Sequence, residues 1–306
     1  MTLPPRLQRT LAQVAAIEGR GYWSGQPCRV ELRPADPGTG LRFVRDDLAD
    51  ESDDAPGVPA IVYARLPARR RTILGGDRGA QAAMVEHVLA ALAGLAIDNC
   101  EIGLTAAEVP GCDGSALPFV DAIVESGVTE QAAVCEPLVV ERPIRCGDDR
   151  VWVEARPPIG PTLSIEYRLD YGPGSAIGRQ WFVAEITPEA FRAEIAAART
   201  FILESEANAL RDAGLGNHVT PQDLLIFRDT PEDGSDADPN PIDNPRRFAD
   251  ECVRHKLLDV VGDLALAGRP IVGHIVACCS GHRLNGDLVE ALLAAEATGQ
   301  GRRRSA

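Results

Sequence analysis

The sequence predicts an α+β protein in which a strand-rich stretch followed by helices occurs twice. Three observations predict it. Apolar residues recur with the period of strands in both halves, runs with helical spacing follow each set, and a strand pattern starts afresh after QAAVCEP, near residue 133. Strands followed by a pair of helices form a layer in which one sheet face is covered. The expected division is an N-terminal domain over 1–131 and a C-terminal domain over 132–306, two similar domains, each a sheet packed on a helix pair. No residue-level repeat accompanies them, so the duplication is one of architecture.

In the first half, CRVELRPA, GLRFVRDD and PAIVYARL alternate as strands do, separated by the turn-rich DPGTG and ESDDAPGVP. Residues 81–96 take helical spacing, with Val85, Leu89, Leu92 and Leu95 apolar. IDNCEIGLT is a further strand, and DGSALPFVDAIVESG a second helix from about Leu117 to Glu125. In the second half, LVVERPIRC, RVWVEARP and TLSIEYRLDY are strand-like. TPEAFRAEIAAARTF is strongly helical, with Thr187 as N-cap and Glu189 near the positive helix end. DECVRHKLLDVVGDLAL is a helix, IVGHIVACCS a strand and LNGDLVEALLAAEA the last helix. The run 231–245 carries five acidic residues and four prolines without the spacing of a calcium loop, which predicts a solvated, mobile surface loop.

Composition narrows the function. Of 306 residues 45% are hydrophobic and 25% charged, the balance of a globular protein. No apolar run approaches the roughly 20 residues of a membrane helix, and the N-terminus lacks the apolar core of a secretory signal. The expectation is a cytoplasmic protein without stable membrane insertion. A net charge of -14 argues against nucleic acid as a partner, yet leaves room for an anionic small molecule held by a few local cations. The eight cysteines lack C-x-x-C spacing and read as reduced, mostly buried residues. The arginines of ARRRT read as a charged strand edge rather than a phosphate site.

The chemistry concentrates in RHKLLDVVGDL. Residues four apart share a helix face, so His255, Asp259 and Asp263 form one polar stripe on an otherwise apolar helix, with Lys256 beside them. An imidazole and a carboxylate one turn apart suit a metal ion, but catalytic zinc takes three protein ligands and keeps a fourth position for water. His87, in MVEHVLAALAGL, supplies a candidate third ligand, and Glu86 sits next to it. Taken singly, a helical histidine is more often structural, and H-x-x-x-D is a common spacing. Periodicity does not bring these residues together. Two imidazoles and a carboxylate suit zinc, with Glu86 to take a proton from water and His282, in SGHRLNG, to stabilise an oxyanion or protonate a leaving amine. Asp263 is placed to orient a histidine and raise its pKa. His274 and His218 carry no such signal. The combination points to metal-dependent hydrolysis.

VEHVLAALAGLAIDNCEI, VPGCDGSALPFVDAI, AARTF, DECVRHKLLDVVGDLAL and SGHRLN resemble, in order and spacing, the signatures of the UDP-3-O-acyl-N-acetylglucosamine deacetylase family, from about residue 7 to 295. The resemblance implies a zinc amidase that commits lipid A synthesis, acting on a UDP-linked acyl sugar as a small-molecule partner; iron is an alternative metal, and a monomer is the expected state. It places the zinc ligands on His87, His255 and Asp259, the general base on Glu86, and the second acid/base on His282 with Asp263 as its charged neighbour. Lys256 falls where the family contacts the nucleotide, and Thr200 where it helps hold the oxyanion, followed by Phe201. A uracil-stacking aromatic falls on Tyr167, with Glu166 beside it. The implied fold sandwiches the helices of two similar domains between two outer sheets, as in ribosomal protein S5 domain 2. An insert near 203–227 forms a passage for the acyl chain.

This chain departs from the family pattern at 21–25, at 216–220 and at Met84. Those departures keep open a related zinc amidase acting on another acylated sugar nucleotide. A non-catalytic paralogue is the other alternative, and the full set of matched chemical groups speaks against it.

Overall fold

The structure is a computed structural model and describes residues 6–49, 54–230 and 237–304. Part of the acidic run, 231–236, lies outside the described residues.

Each half contributes one five-stranded sheet. The first holds β1 (Ala15–Arg20), β2 (Pro27–Pro34), β3 (Leu41–Arg45), β4 (Gly57–Pro59) and β5 (Cys100–Leu104) in the order β1-β2-β5-β3-β4. The second holds β6 (Ile144–Gly147), β7 (Trp152–Arg156), β8 (Ser164–Asp170), β9 (Arg179–Glu185) and β10 (His274–Cys278) in the order β6-β7-β10-β8-β9. The two orders are equivalent. In each sheet one pair is parallel, β3 with β5 and β8 with β10, and the others are antiparallel. The repeated strand-then-helix order in the sequence therefore corresponds to a repeated sheet topology.

Residue alternation explains the strands. In β2, Cys28, Val30 and Leu32 are buried while Arg29 is exposed, which is the period of a half-covered strand. β10 is central, and its Ile275, Val276 and Ala277 are all buried. Ile275 and Val276 each contribute about 1.5–3 kcal/mol by leaving water, and Ala277 less.

Among the described residues the helices longer than one turn are α1 (Glu86–Gly94), α2 (Leu117–Ser126), α3 (Glu204–Asp212), which packs on the short strands Phe201–Leu203 and Leu225–Phe227, α4 (Glu251–Leu264) and α5 (His282–Arg304). α2 packs on β1 and α1, α4 on β8 and β9, and α5 on α4, β6 and β7. The contact of α1 with α4 joins the two halves. α1 is buried on nearly every side, as its almost unbroken apolar sequence requires.

Several expectations needed correction. PAIVYARL is not one strand: Pro59 ends one, Val62–Ala64 is a 3₁₀ turn, and Arg65–Leu66 begins another that pairs with Ile73 and Leu74. The helix expected over TPEAFRAEIAAARTF is one turn, Pro188–Ala190, followed by a π turn over Phe191–Ile195. Thr187 does cap it, accepting from the Ala190 N–H at 3.2 Å. Phe191 is fully buried where Gly94 leaves no side chain in its way, so tertiary packing overrides propensity. The last helix begins at His282 rather than at Leu284. Strand β9 escaped notice because Trp181-Phe182-Val183-Ala184 is a continuous run at a sheet edge.

Candidate metal centre and active site

His87 stands on the first turn of α1, and His255 and Asp259 one turn apart on α4. The packing of α1 on α4 brings them together. Asp259 Oδ1 is 3.5 Å from His255 Nε2 and 3.9 Å from His87 Nε2. The two rings meet edge to face, 5.2 Å between centroids. One donor atom from each residue lies within 4.8 Å of the others, and all three side chains are buried. A tetrahedral shell with bonds of about 2.0–2.1 Å separates neighbouring donors by about 3.4 Å, so the cluster is close to the size a small dication needs.

The proton positions fit a cation as well. His255 Nδ1 lies 3.1 Å from the Ala198 carbonyl, which accepts its N–H and leaves Nε2 as the free lone pair. Burial drives the imidazoles toward the neutral form, His87 down to about 3 and His255 also downward. Burial works against the Asp259 charge, but Lys256 and the neighbouring histidines hold it ionised, well below the usual carboxylate range. Lys256 Nζ donates to Asp259 Oδ2 at 2.8 Å, so Oδ1 remains for the cluster. Asp259 in turn keeps Lys256 charged against its own burial.

A second group of ionisable residues flanks the first. His282 Nδ1 donates to Asp263 Oδ2 at 2.9 Å, and its Nε2 lies 3.8 Å from Glu86 Oε1. Burial opposes the His282 charge, yet Asp263 and Glu86 raise its pKa to about 10. Burial raises Glu86 to about 7 against the pull of His282. A carboxylate tuned near neutrality beside an imidazolium is a base and an acid in one site. Thr200 Oγ1 lies 3.3 Å from His255 Nε2 and donates to the Gly114 carbonyl at 3.0 Å. Its place is fixed from behind: Arg199, buried, binds Glu251 at the start of α4 through Nε at 2.7 Å.

Glu86, His87, Thr200, His255, Lys256, Asp259 and His282 line one cavity of about 860 Å³. Phe201 and Tyr171, with ring centroids 5.9 Å apart, are among its lining residues, as are Lys256 and Arg283. Leu210, Leu215, Val219, Leu224 and Ile226, from the segment expected to form an acyl passage, give it an apolar stretch, while Arg69, Arg70, Glu206 and Arg211 also line it. The two atypical stretches touch each other beside it: His218 Nε2 donates to the Gly21 carbonyl at 2.8 Å, and Tyr22 donates to the Asp223 carbonyl.

Of the residues singled out from sequence, the structure gathers Glu86, His87, Thr200, Phe201, His255, Lys256, Asp259 and His282 around this cavity, with Asp263 directly behind His282. Tyr167 and Glu166 fare differently. Tyr167 touches the cavity but is 0% exposed, its hydroxyl bound to the Ser280 carbonyl, so it offers no ring face to a base. Glu166 projects from the other side of β8, paired with Arg168 in a separate shallow depression. The available aromatic is Tyr171, 39% exposed and 5.9 Å from the Phe201 ring. Its signal in the sequence was its place in the turn-rich DYGPG at a strand end. Thr72 was also missed: its N–H donates to Glu86 Oε2 at 3.0 Å.

The family model for LpxC, UDP-3-O-acyl N-acetylglycosamine deacetylase, matches residues 8–294. Curated proteins named UDP-3-O-acyl-N-acetylglucosamine deacetylase align over nearly the whole chain. That of Thermosynechococcus vestitus is 39% identical over 285 residues, 93% of this chain and 93% of its own. Those of Myxococcus xanthus and Shewanella sp. (strain W3-18-1) are each 36% identical, spanning 94% of this chain and 86% and 90% of theirs. The chain belongs to the UDP-3-O-acyl N-acetylglycosamine deacetylase family.

Proposed function

We propose that this chain hydrolyses the N-acetyl group of a UDP-3-O-acyl-N-acetylglucosamine, releasing acetate and the free amine for lipid A synthesis. The observation that carries this reading is the buried His87–His255–Asp259 cluster beside Glu86 and the His282–Asp263 pair, on the wall of one amphipathic cavity. The cavity has aromatic and cationic lining residues for a nucleotide sugar and an apolar stretch for an acyl chain. Among the described residues no helix is long and apolar enough to cross a membrane.

His87 Nε2, His255 Nε2 and Asp259 Oδ1 would hold the metal; two imidazoles and a carboxylate suit zinc, with iron as the alternative. Bound there, the ion supplies Lewis acidity, polarising the amide carbonyl and lowering the pKa of water to about 7. Glu86 takes a proton from the attacking water as the carbonyl carbon becomes tetrahedral. The His282 imidazolium would stabilise the oxygen that gains charge, and the Thr200 hydroxyl would join it by turning its proton away from the Gly114 carbonyl. The C–N bond then breaks as Glu86 or His282 delivers a proton to the amine. Lys256 neutralises Asp259 and borders the nucleotide side, where Tyr171 and Phe201 present rings to the base.

The equivalent sheets support two similar domains, 1–131 and 132–306, with helices between outer sheets as in ribosomal protein S5 domain 2. The second domain carries its insert near 203–227.

The test is acetate release from the UDP-3-O-acyl substrate together with metal content, for wild type, His87→Ala and Glu86→Ala. His87→Ala should lose metal and activity together. Glu86→Ala should keep its metal while kcat falls about 100-fold or more. Wild-type turnover in Glu86→Ala would remove Glu86 from the mechanism. A metal-loaded wild type inert on every acylated sugar nucleotide would sink the whole reading. Equal turnover with and without the 3-O-acyl group would instead favour a related amidase with another substrate.

A further inference from the structure

We infer that Thr72 is a positioning residue for this hydrolysis, holding the base Glu86 and the His282–Asp263 pair in fixed relation. The inference rests on the deacetylase reading and adds to it a residue that touches neither substrate nor metal ligands.

Thr72 is buried and uses both its polar groups on the site. Its main-chain N–H donates to Glu86 Oε2 at 3.0 Å, and its hydroxyl donates to Asp263 Oδ1 at 2.7 Å. Each bond ties up the oxygen that faces away from His282. Glu86 Oε1 is left toward His282 Nε2, 3.8 Å away, and Asp263 Oδ2 toward His282 Nδ1, 2.9 Å away. Asn285 Nδ2 also donates to Asp263 Oδ2, at 2.8 Å. Asp263 is thus gripped at both oxygens, and the His282 ring takes its orientation from that carboxylate. Glu86 comes from α1, Asp263 from α4 and His282 from α5, so one threonine on a fourth element links three helices.

Local structure explains how it reaches. Thr72 precedes a strand, Ile73–Gly75, that pairs with Gln81–Ala83, the strand leading into α1. Ile73 is in register with Ala83, three residues before Glu86. The Thr72 N–H is therefore held over the first turn of α1 by hairpin pairing rather than by its side chain. Only the hydroxyl is free to be varied. A valine there keeps the shape and the N–H but leaves Asp263 Oδ1 buried without its donor, which favours rotation of the carboxylate. His282 would turn with it, and small misplacement of an acid or base costs rate.

The experiment compares wild type, Thr72→Val, Thr72→Ala and Thr72→Ser, all zinc-loaded, in acetate release from the UDP-3-O-acyl substrate. Thr72→Val and Thr72→Ala should lower kcat about 10- to 100-fold, with KM and bound zinc within about twofold of wild type. Thr72→Ser, which keeps the hydroxyl, should recover kcat to within about threefold. In an Asp263→Asn background, Thr72→Val should cost little more, because the partner through which it acts is already altered. The inference is overturned by a wild-type kcat in Thr72→Ala, by a loss carried in KM or zinc content, by Thr72→Ser failing to rescue, or by full additivity with Asp263→Asn. Failure of both Val and Ala variants to fold would also overturn it, making Thr72 a structural residue. A wild type without turnover would sink the deacetylase reading instead, and so is distinguishable.

Discussion

Gly262 lies directly against the backbone of Glu86: a Cβ at 262 would stand 2.1 Å from the Glu86 carbonyl oxygen. The crossing of α4 over α1 therefore brings the two backbones together at Glu86, at a point on α4 one residue before Asp263 and three after Asp259. Gly262→Ala must push the helices apart or displace the first turn of α1. The expected cost is roughly 1–3 kcal/mol of stability from overpacking, with a fall in kcat beyond what unfolding explains. Thermal unfolding and acetate release on the folded fraction check it. An unchanged midpoint with unchanged turnover would mean that α1 and α4 do not approach this closely.

Tyr167 and Tyr171, both at the cavity, separate by exposure. Tyr171→Ala should raise KM for the UDP substrate about 5- to 100-fold with little change in kcat, since base–aromatic stacking contributes about 1–3 kcal/mol. Tyr167→Phe removes only the buried bond to the Ser280 carbonyl. It should cost about 1 kcal/mol of stability and leave KM alone. The opposite pattern, KM moved by Tyr167→Phe and not by Tyr171→Ala, would restore Tyr167 as the stacking residue.

Much of this site was legible in the sequence, for a local reason. His255, Asp259 and Asp263 recur every four residues in one helix, so their common face follows from helix geometry alone. Glu86 and His87 are adjacent and inseparable. What joined the two groups was not local: His87 and His255 meet because α1 crosses α4, and only the resemblance to a family anticipated it. Thr72 was invisible because its partners lie 14 and 191 residues away, and it ends an arginine run that reads as a charged edge. Tyr171 was passed over because the resemblance set the stacking aromatic on Tyr167, four residues earlier, where the strand turns the ring inward. The sheets followed the same rule. β2 alternates and was readable, whereas the π turn at Phe191–Ile195 answers to packing against Gly94.

The pH profile should bend on both sides. Glu86 must be ionised to act as base, so activity rises as pH climbs through its pKa, which burial sets at about 7 and a neighbouring dication lowers. His282 must be protonated. Its pKa is raised to about 10 despite burial, by Asp263 and then Glu86, so its contribution is present at neutral pH and lost as pH rises through that value. Asp263→Asn removes the larger of these charges and should move the alkaline limb of kcat/KM to lower pH while the acid limb stays nearly in place. A kcat/KM profile across the alkaline range decides it. An alkaline limb unmoved by Asp263→Asn would mean that another group controls it.

Metal removal should distinguish the ligands by what each leaves behind. Chelation is expected to abolish acetate release, zinc to restore it, and the unfolding midpoint to fall, since a ligand at about 1,000 times its Kd stabilises by about 4 kcal/mol. His87→Ala should lose this metal-dependent shift while the metal-free protein keeps most of its stability, because the Asp259–Lys256 pair is untouched. Asp259→Ala should do worse. It strands the Lys256 ammonium, whose Nζ is 2.8 Å from Asp259 Oδ2 in a largely buried place, at a cost of roughly 3 kcal/mol for breaking a buried pair. The double variant Asp259→Ala with Lys256→Met should recover part of that stability and none of the metal binding. Equal metal-free stability for His87→Ala and Asp259→Ala would show that Lys256 does not depend on Asp259, and that its partner is to be sought in the substrate.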